Sequence, residues 1–233
     1  MSRNTSSKRT AQTYPVRTHG GHVLADIGGK TCLIDTGAPS TVGEDAFVLL
    51  GRRFPTEREY FGVTCEGLRG FVGTHIDFLI GTDVLNTFPW KLDWHGGTVT
   101  FYRGGHDFNG TVVPVRSVFG SPVVPFTIGG VEYEGILDTG APLQFCPRDW
   151  EGGAYVRDQQ DFFPIGGAFT AKVYRVDFRF GDREIDGEFG KMPAALGSPL
   201  KMLGLGWILG SDVLKSGPLG FDLRRGKRRI HLL

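Results

Sequence analysis

"LIDTGAPS" at residues 33–40 and "ILDTGAPL" at residues 136–143 are near copies of each other within one chain. In each, two aliphatic residues run straight into an aspartate, and Thr-Gly-Ala-Pro follows. An acid at the end of an apolar strand is unfavourable by itself, because a desolvated carboxylate takes up a proton rather than keep its charge. Two such acids brought face to face can instead share one proton, since the first charge disfavours the second and the pair titrates as a unit. Glycine two positions on permits a backbone course closed to other residues, and threonine supplies a short hydroxyl to lock the turn. Asp35 and Asp138 are the two acids in question.

The duplication extends beyond these turns. "IGTDVLNTFPWKLDWHGGTVTFY" (80–102) aligns with "LGSDVLKSGPLGFDLRRGKRRIH" (209–231), matching Gly81 with Gly210, Asp83 with Asp212, Pro89 with Pro218 and Asp93 with Asp222. "PVR" recurs at 15–17 and 114–116, and "IGG" at 27–29 and 128–130. An internal repeat decides the architecture before any local reading, and two copies are too few for a solenoid. Two related lobes follow, residues 13–103 and 111–233, joined by the Gly-rich stretch 104–110. Residues 1–12 are polar and basic and read as a disordered tail. The copies differ in one place: Asp35 to Gly81 spans 46 residues, but Asp138 to Gly210 spans 72.

Composition sets the class. Apolar residues make up 40%, charged residues 22%, and the net charge is +1, the balance of a soluble globular protein with no field that favours nucleic acid or an anionic membrane. The 36 glycines in 233 residues are about twice the usual ~7% and suggest short strands with tight turns. "HVLADIGGKTCLID" and "VVPFTIGGVEYEGILD" read as hairpins turning at Gly-Gly, and "AKVYRVDFRF" (171–180) alternates as a half-exposed strand. Helix signals are weak. "GTDVLNTF" and "GSDVLKSG" each predict a turn or two, with Asp83 and Asp212 as N-caps. The fold expected is all-β: two lobes with a cleft between them, and an interlobe sheet built from "TYPVR", "TVTFY", "TVVPV" and "RRIHL".

Cys32, Cys65 and Cys146 form neither a disulfide framework nor a zinc pair, and Cys32 reads as a buried small hydrophobe. No secretory signal or membrane-length apolar run is seen, so a cytoplasmic location is expected. His19 and His22 have nothing nearby to complete a metal site, and "RRGKRR" (224–229) reads as a solvated turn. No cofactor or metal is called for.

Two Asp-Thr-Gly turns, each followed by an apolar-apolar-Gly element (Leu79-Ile80-Gly81 and Ile208-Leu209-Gly210), resemble the aspartic protease superfamily. The Asp-Thr-Gly-Ala form, with "IGTDVLN" and "LGSDVLK", is similar to retropepsins and to the cellular DNA-damage-inducible retropepsin-like domains, here two in series on one chain. The resemblance implies retropepsin-like β-barrel lobes and a catalytic dyad of Asp35 and Asp138. It implies support from Thr36, Gly37, Thr139 and Gly140, and an extended polypeptide as substrate. Retropepsins build this site by dimerising; here both halves lie in one chain, so a monomer suffices. Ala38 and Ala141 stand where pepsin-like enzymes commonly carry a hydroxyl. Fewer hydrogen bonds to the ionised dyad imply an optimum from mildly acidic to near neutral. "PIGGAF" (164–169) resembles a retropepsin flap tip, which makes Ile165, Gly166 and Gly167 candidate substrate contacts on a flap at 162–174. Lobe one, with "YFGVTCEGLRG" (60–70), is too short for a matching flap. The residues leave a second reading open, a catalytically silent peptide-binding protein that keeps the protease fold.

Overall fold

The computed structural model describes residues 10–163 and 167–233. Half of the chain is strand and 12% helix, so the all-β expectation holds. The strands form a nine-stranded sheet, an eight-stranded sheet and a small two-stranded hairpin.

The two halves repeat one local plan. In the first, His22–Ile27 and Lys30–Ile34 make an antiparallel hairpin turned by Gly28 (φ 65°) and Gly29 (φ 76°). Cys32–Ile34 then pairs in parallel with Phe78–Ile80. In the second, Ser121–Ile128 and Val131–Leu137 form the hairpin with Gly129 and Gly130 at the turn. Ile136–Leu137 pairs in parallel with Ile208–Leu209. Left-handed φ at both central turn residues explains the Gly-Gly pairs. Each aspartate begins where its strand ends, with Asp35 N–H donating to Ile80 O (3.0 Å) and Asp138 N–H to Leu209 O (2.8 Å).

The four strands expected to join the halves fall in one sheet as two pairs, with two strands that were not expected, Trp90–Asp93 and Leu219–Asp222, between them. Ala11–His19, Thr98–Tyr102, Trp90–Asp93, Leu219–Asp222, Arg229–Leu232 and Thr111–Pro114 are consecutive in the nine-stranded sheet. At the seam Trp90 pairs with Phe221. Their rings stack at 3.8 Å and 4°, and both are buried. The connecting stretch 104–110 also packs, since Phe108 is buried and its ring meets those of Tyr102 and His231.

Some expectations need correction. The first strand starts at Ala11, inside the tail expected through Gln12, because Ala11 and Gln12 pair with Tyr102 and Phe101; residues 1–9 lie outside the described residues. Two helices went unforeseen. Cys65–Val72 is capped by Thr64, whose hydroxyl accepts from Gly67 N, and closes at Gly73 in the left-handed region (φ 76°). Ala194–Met202 carries Pro199 in its interior, which hid it from pattern reading. Asp83 and Asp212 are not N-caps; Gly81 and Gly210 hold that position without a side-chain cap. Asp83 instead accepts from Thr41 Oγ1 (2.7 Å), while Asp212 accepts from the Gln144 amide and from Glu188 N (3.0 Å). Thr41 and Gln144 in turn accept from Gly81 N and Gly210 N. The two halves thus tie their helix starts down with the same network and different side chains.

The extra length of the second half forms a long hairpin, Ala154–Phe163 with Gly167–Phe180. It is longer than the 162–174 expected. Strand Arg183–Lys191 continues its sheet, and the burial of Gly167–Phe180 alternates as the pattern of 171–180 predicts.

Candidate active site

Asp35 and Asp138 come together, each at the end of its parallel strand pair. Asp35 Oδ1 accepts from Gly37 N (2.8 Å) and Ala38 N (2.9 Å). Asp138 Oδ1 accepts from Gly140 N at 2.8 Å. The glycines face the opposite acid. A Cβ on Gly37 would lie within 2.7 Å of both carboxylate oxygens of Asp138, and one on Gly140 within 2.8 Å of both oxygens of Asp35. Glycine is needed here for close approach between the halves, not for turn conformation, since neither residue has a positive φ.

Thr36 and Thr139 lock the arrangement, both fully buried. Thr36 Oγ1 donates to Leu137 O (2.6 Å) and accepts from Thr139 N (3.0 Å). Thr139 Oγ1 donates to Ile34 O (2.7 Å) and accepts from Thr36 N (3.0 Å). Each hydroxyl satisfies two backbone groups of the other half, and no water is needed between them.

A second pair of cross-links surrounds this core. His22 Nδ1 donates to Gly140 O (2.8 Å), and Ser121 Oγ donates to Gly37 O (3.3 Å). The His22 ring was assigned no role from sequence; burial lowers its pKa, while the bond to Gly140 opposes that shift. Its Nδ1–H supports the Asp138 turn.

Burial is the main force on the two acids. It raises both Asp35 and Asp138 above the ordinary carboxylate range, while backbone N–H groups oppose the rise. The charge of Asp138 raises Asp35 further, and the hydrogen bond between them raises Asp35 and lowers Asp138. That is the behaviour of a pair with one proton between them. The arrangement can therefore take a proton from water with one carboxyl while the other donates one.

Two further groups face this pair. Tyr60 sits in a tight turn closed by Tyr60 N to Val63 O (2.9 Å) and Val63 N to Tyr60 O (3.0 Å). Burial, then the charges of Asp35 and Asp138, push its phenol well above its usual pKa, which keeps it a neutral donor. Asp161, on the long hairpin, is raised to about 6 by burial, with Asp138 adding to the rise. Neither was singled out from sequence. Register could have found the region, since Tyr60 lies 25 residues after Asp35 and Phe163 lies 25 after Asp138.

The hairpin reaches across to the first half. Phe162 stacks on Phe71 of the Cys65–Val72 helix with centroids 3.4 Å apart and planes at 13°. Of the expected flap contacts, Gly167 is described, paired with Phe163 at φ 71°; Ile165 and Gly166 lie outside the described residues. The three cysteines are free and buried, and burial pushes the Cys32 thiol to about 12. Among the described residues no group of three or more His, Cys, Asp or Glu could hold a metal ion, and no helix is long and apolar enough to cross a membrane. In "RRGKRR", Arg224 pairs with Asp222 at 2.7 and 2.8 Å, so its first residue is structural rather than free for a polyanion. Compared with protein-family models and with curated proteins, the chain matches none.

Proposed function

We propose that the chain is a single-chain aspartic endopeptidase with retropepsin-like lobes. The observation that carries this reading is reciprocal: each glycine of an Asp-Thr-Gly turn leaves room for the other half's carboxylate, and each threonine satisfies the other half's backbone. A merely structural pair of acids has no need for such close, mutual packing, whereas a proton-sharing dyad does.

One carboxyl takes a proton from a water as that water attacks the scissile carbonyl. The other, protonated, donates to the carbonyl oxygen, and the leaving amine is protonated in collapse of the tetrahedral intermediate. Ala38 and Ala141 offer the dyad no hydroxyl, so ionisation is supported mainly by backbone N–H groups. The hairpin acts as one flap carried by the second lobe. Tyr60 supplies a neutral hydroxyl from the first. The substrate is an extended polypeptide between them, and no second molecule is needed to complete the site.

The test is cleavage of a peptide library between pH 3 and 8 by wild type, Asp35→Asn and Asp138→Asn. Wild type is expected to cut with an optimum from mildly acidic to near neutral. Either substitution should lower kcat by roughly 10²–10⁴-fold or more, the size of a lost general acid or base. Absence of cutting by wild type, or full activity in both variants, refutes the reading.

A further inference from the structure

The inner face of the hairpin can be identified from its register. Side chains alternate along a strand, so Asp161 and Phe163 share a face, and Asp161 lies directly across from Phe169. Phe163 and Phe169 pack on the cluster that contains Ala141 and Leu143, just beyond the Asp138 turn. Phe162 points the other way, into the first half's cluster and onto Phe71. The hairpin is thereby gripped from both halves, with Asp161 carried in beside Asp138.

Asp161 is part-buried and accepts a local hydrogen bond from Phe162 N at 2.7 Å. Among the described residues no Lys, Arg or His forms an ion pair with it, although the same sheet pairs other acids with arginine: Arg157 with Glu188 at 2.6 Å and Arg179 with Glu184 at 3.3 Å. A carboxylate sheltered beside a second acid and without a cation is unfavourable. Its raised pKa has that origin. A positive charge brought in by a ligand would offset that cost.

We infer that Asp161 is a specificity-determining residue, whose carboxylate receives the lysine or arginine side chain of a polypeptide next to the bond to be cut. This rests on the peptidase reading above and adds a substrate class to it. The cation would replace lost hydration with a charge-assisted hydrogen bond. Such a bond corresponds to roughly 10- to 150-fold in affinity.

The probes are non-cleavable peptides with a hydroxyl in place of the scissile carbonyl, identical except for one flanking side chain, which is lysine, norleucine or glutamate. Each flanking position is scanned in turn, and binding is measured by calorimetry at pH 7.5 to wild type, Asp161→Asn and Asp161→Lys. Matching cleavable peptides are assayed alongside. At one position wild type should bind the lysine probe roughly 10- to 150-fold more tightly than the norleucine probe. Asp161→Asn should collapse that ratio towards one, and Asp161→Lys should turn the preference to glutamate. If a variant fails to fold, the wild-type ratio still decides. Cleavage and binding without a cation preference, or a preference that survives in Asp161→Asn, overturns the inference and leaves the peptidase reading standing. No binding and no cleavage of any peptide overturns both.

Discussion

Thr36→Val isolates the lock between the halves. Valine keeps the shape of threonine and removes only the hydroxyl, in a side chain that is fully buried. That hydroxyl serves two backbone groups, Leu137 O and Thr139 N. Both would be left buried without a partner, at about 1–3 kcal/mol each, so the expected loss is roughly 2–6 kcal/mol. Native proteins have a total of only about 5–15 kcal/mol. Thr139→Val strands a different pair, Ile34 O and Thr36 N, so the two losses should add unless the first lets water into the seam. Thr13→Val is the control, because the Thr13–Thr100 hydroxyl pair (2.8 Å) is exposed and should change stability by no more than about 0.5 kcal/mol. The assay is urea unfolding with a common m-value. A loss under about 0.5 kcal/mol for Thr36→Val, equal to the control, would refute the claim that this network holds the halves in register.

Gly37→Ala should destabilise the fold by about 1–3 kcal/mol through overpacking against the Asp138 carboxylate, and adding Asp138→Gly should recover part of that loss in the same urea assay. Recovery by an unrelated stabilising change, and none by Asp138→Gly, would place the strain elsewhere. Asp161 gives a pH prediction with a definite sign. Its folded pKa is about 6, above the ~3.9 of an unfolded aspartate. Its contribution is fully present below pH ~4 and is lost as pH rises through about 6. Asp161→Asn should therefore gain in Tm relative to wild type across pH 4–6 and hold a constant advantage above it; parallel Tm curves would contradict this.

How far the sequence could be read depended on whether a residue acts within its own copy or across to the other. Asp35 and Asp138, their threonines and glycines, and the Gly-Gly hairpins were legible because the repeat prints each of them twice. The flanking strands of the shared sheet were legible from short β-patterned segments, but the seam strands Trp90–Asp93 and Leu219–Asp222 were not, because each is short and directly follows a helical turn. Asp83 and Asp212 were misread because a Gly-Thr/Ser-Asp start looks like a cap. Their true partners, Thr41 and Gln144, are 42 and 68 residues away and differ between the copies. Tyr60 and Asp161 carry no local signal at all. They matter only because a tight turn and a hairpin from opposite halves converge on one buried pair of acids.

The same distinction explains where the two copies differ. Gly37 and Gly140 each touch the other's carboxylate, and Thr36 and Thr139 each satisfy the other's backbone, so neither copy can change alone without leaving its partner clashing or unpaired. A carbonyl acceptor is less demanding. Gly140 O and Gly37 O each need one donor, and His22 supplies it in one case and Ser121 in the other. The halves differ most between each Asp-Thr-Gly turn and the helix start that follows, where the second carries the long hairpin Ala154–Phe163 with Gly167–Phe180. In this chain the first half instead places the helix Cys65–Val72 there, and its Phe71 becomes the surface on which the second half's hairpin rests. Serial fusion permits that division, because two halves of one chain can diverge where identical subunits cannot. On the peptidase reading, this asymmetry sets a neutral phenol at one side of the substrate and an acid at the other. An extended polypeptide would then meet different chemistry on its two sides, which a twofold dimer of identical halves cannot offer.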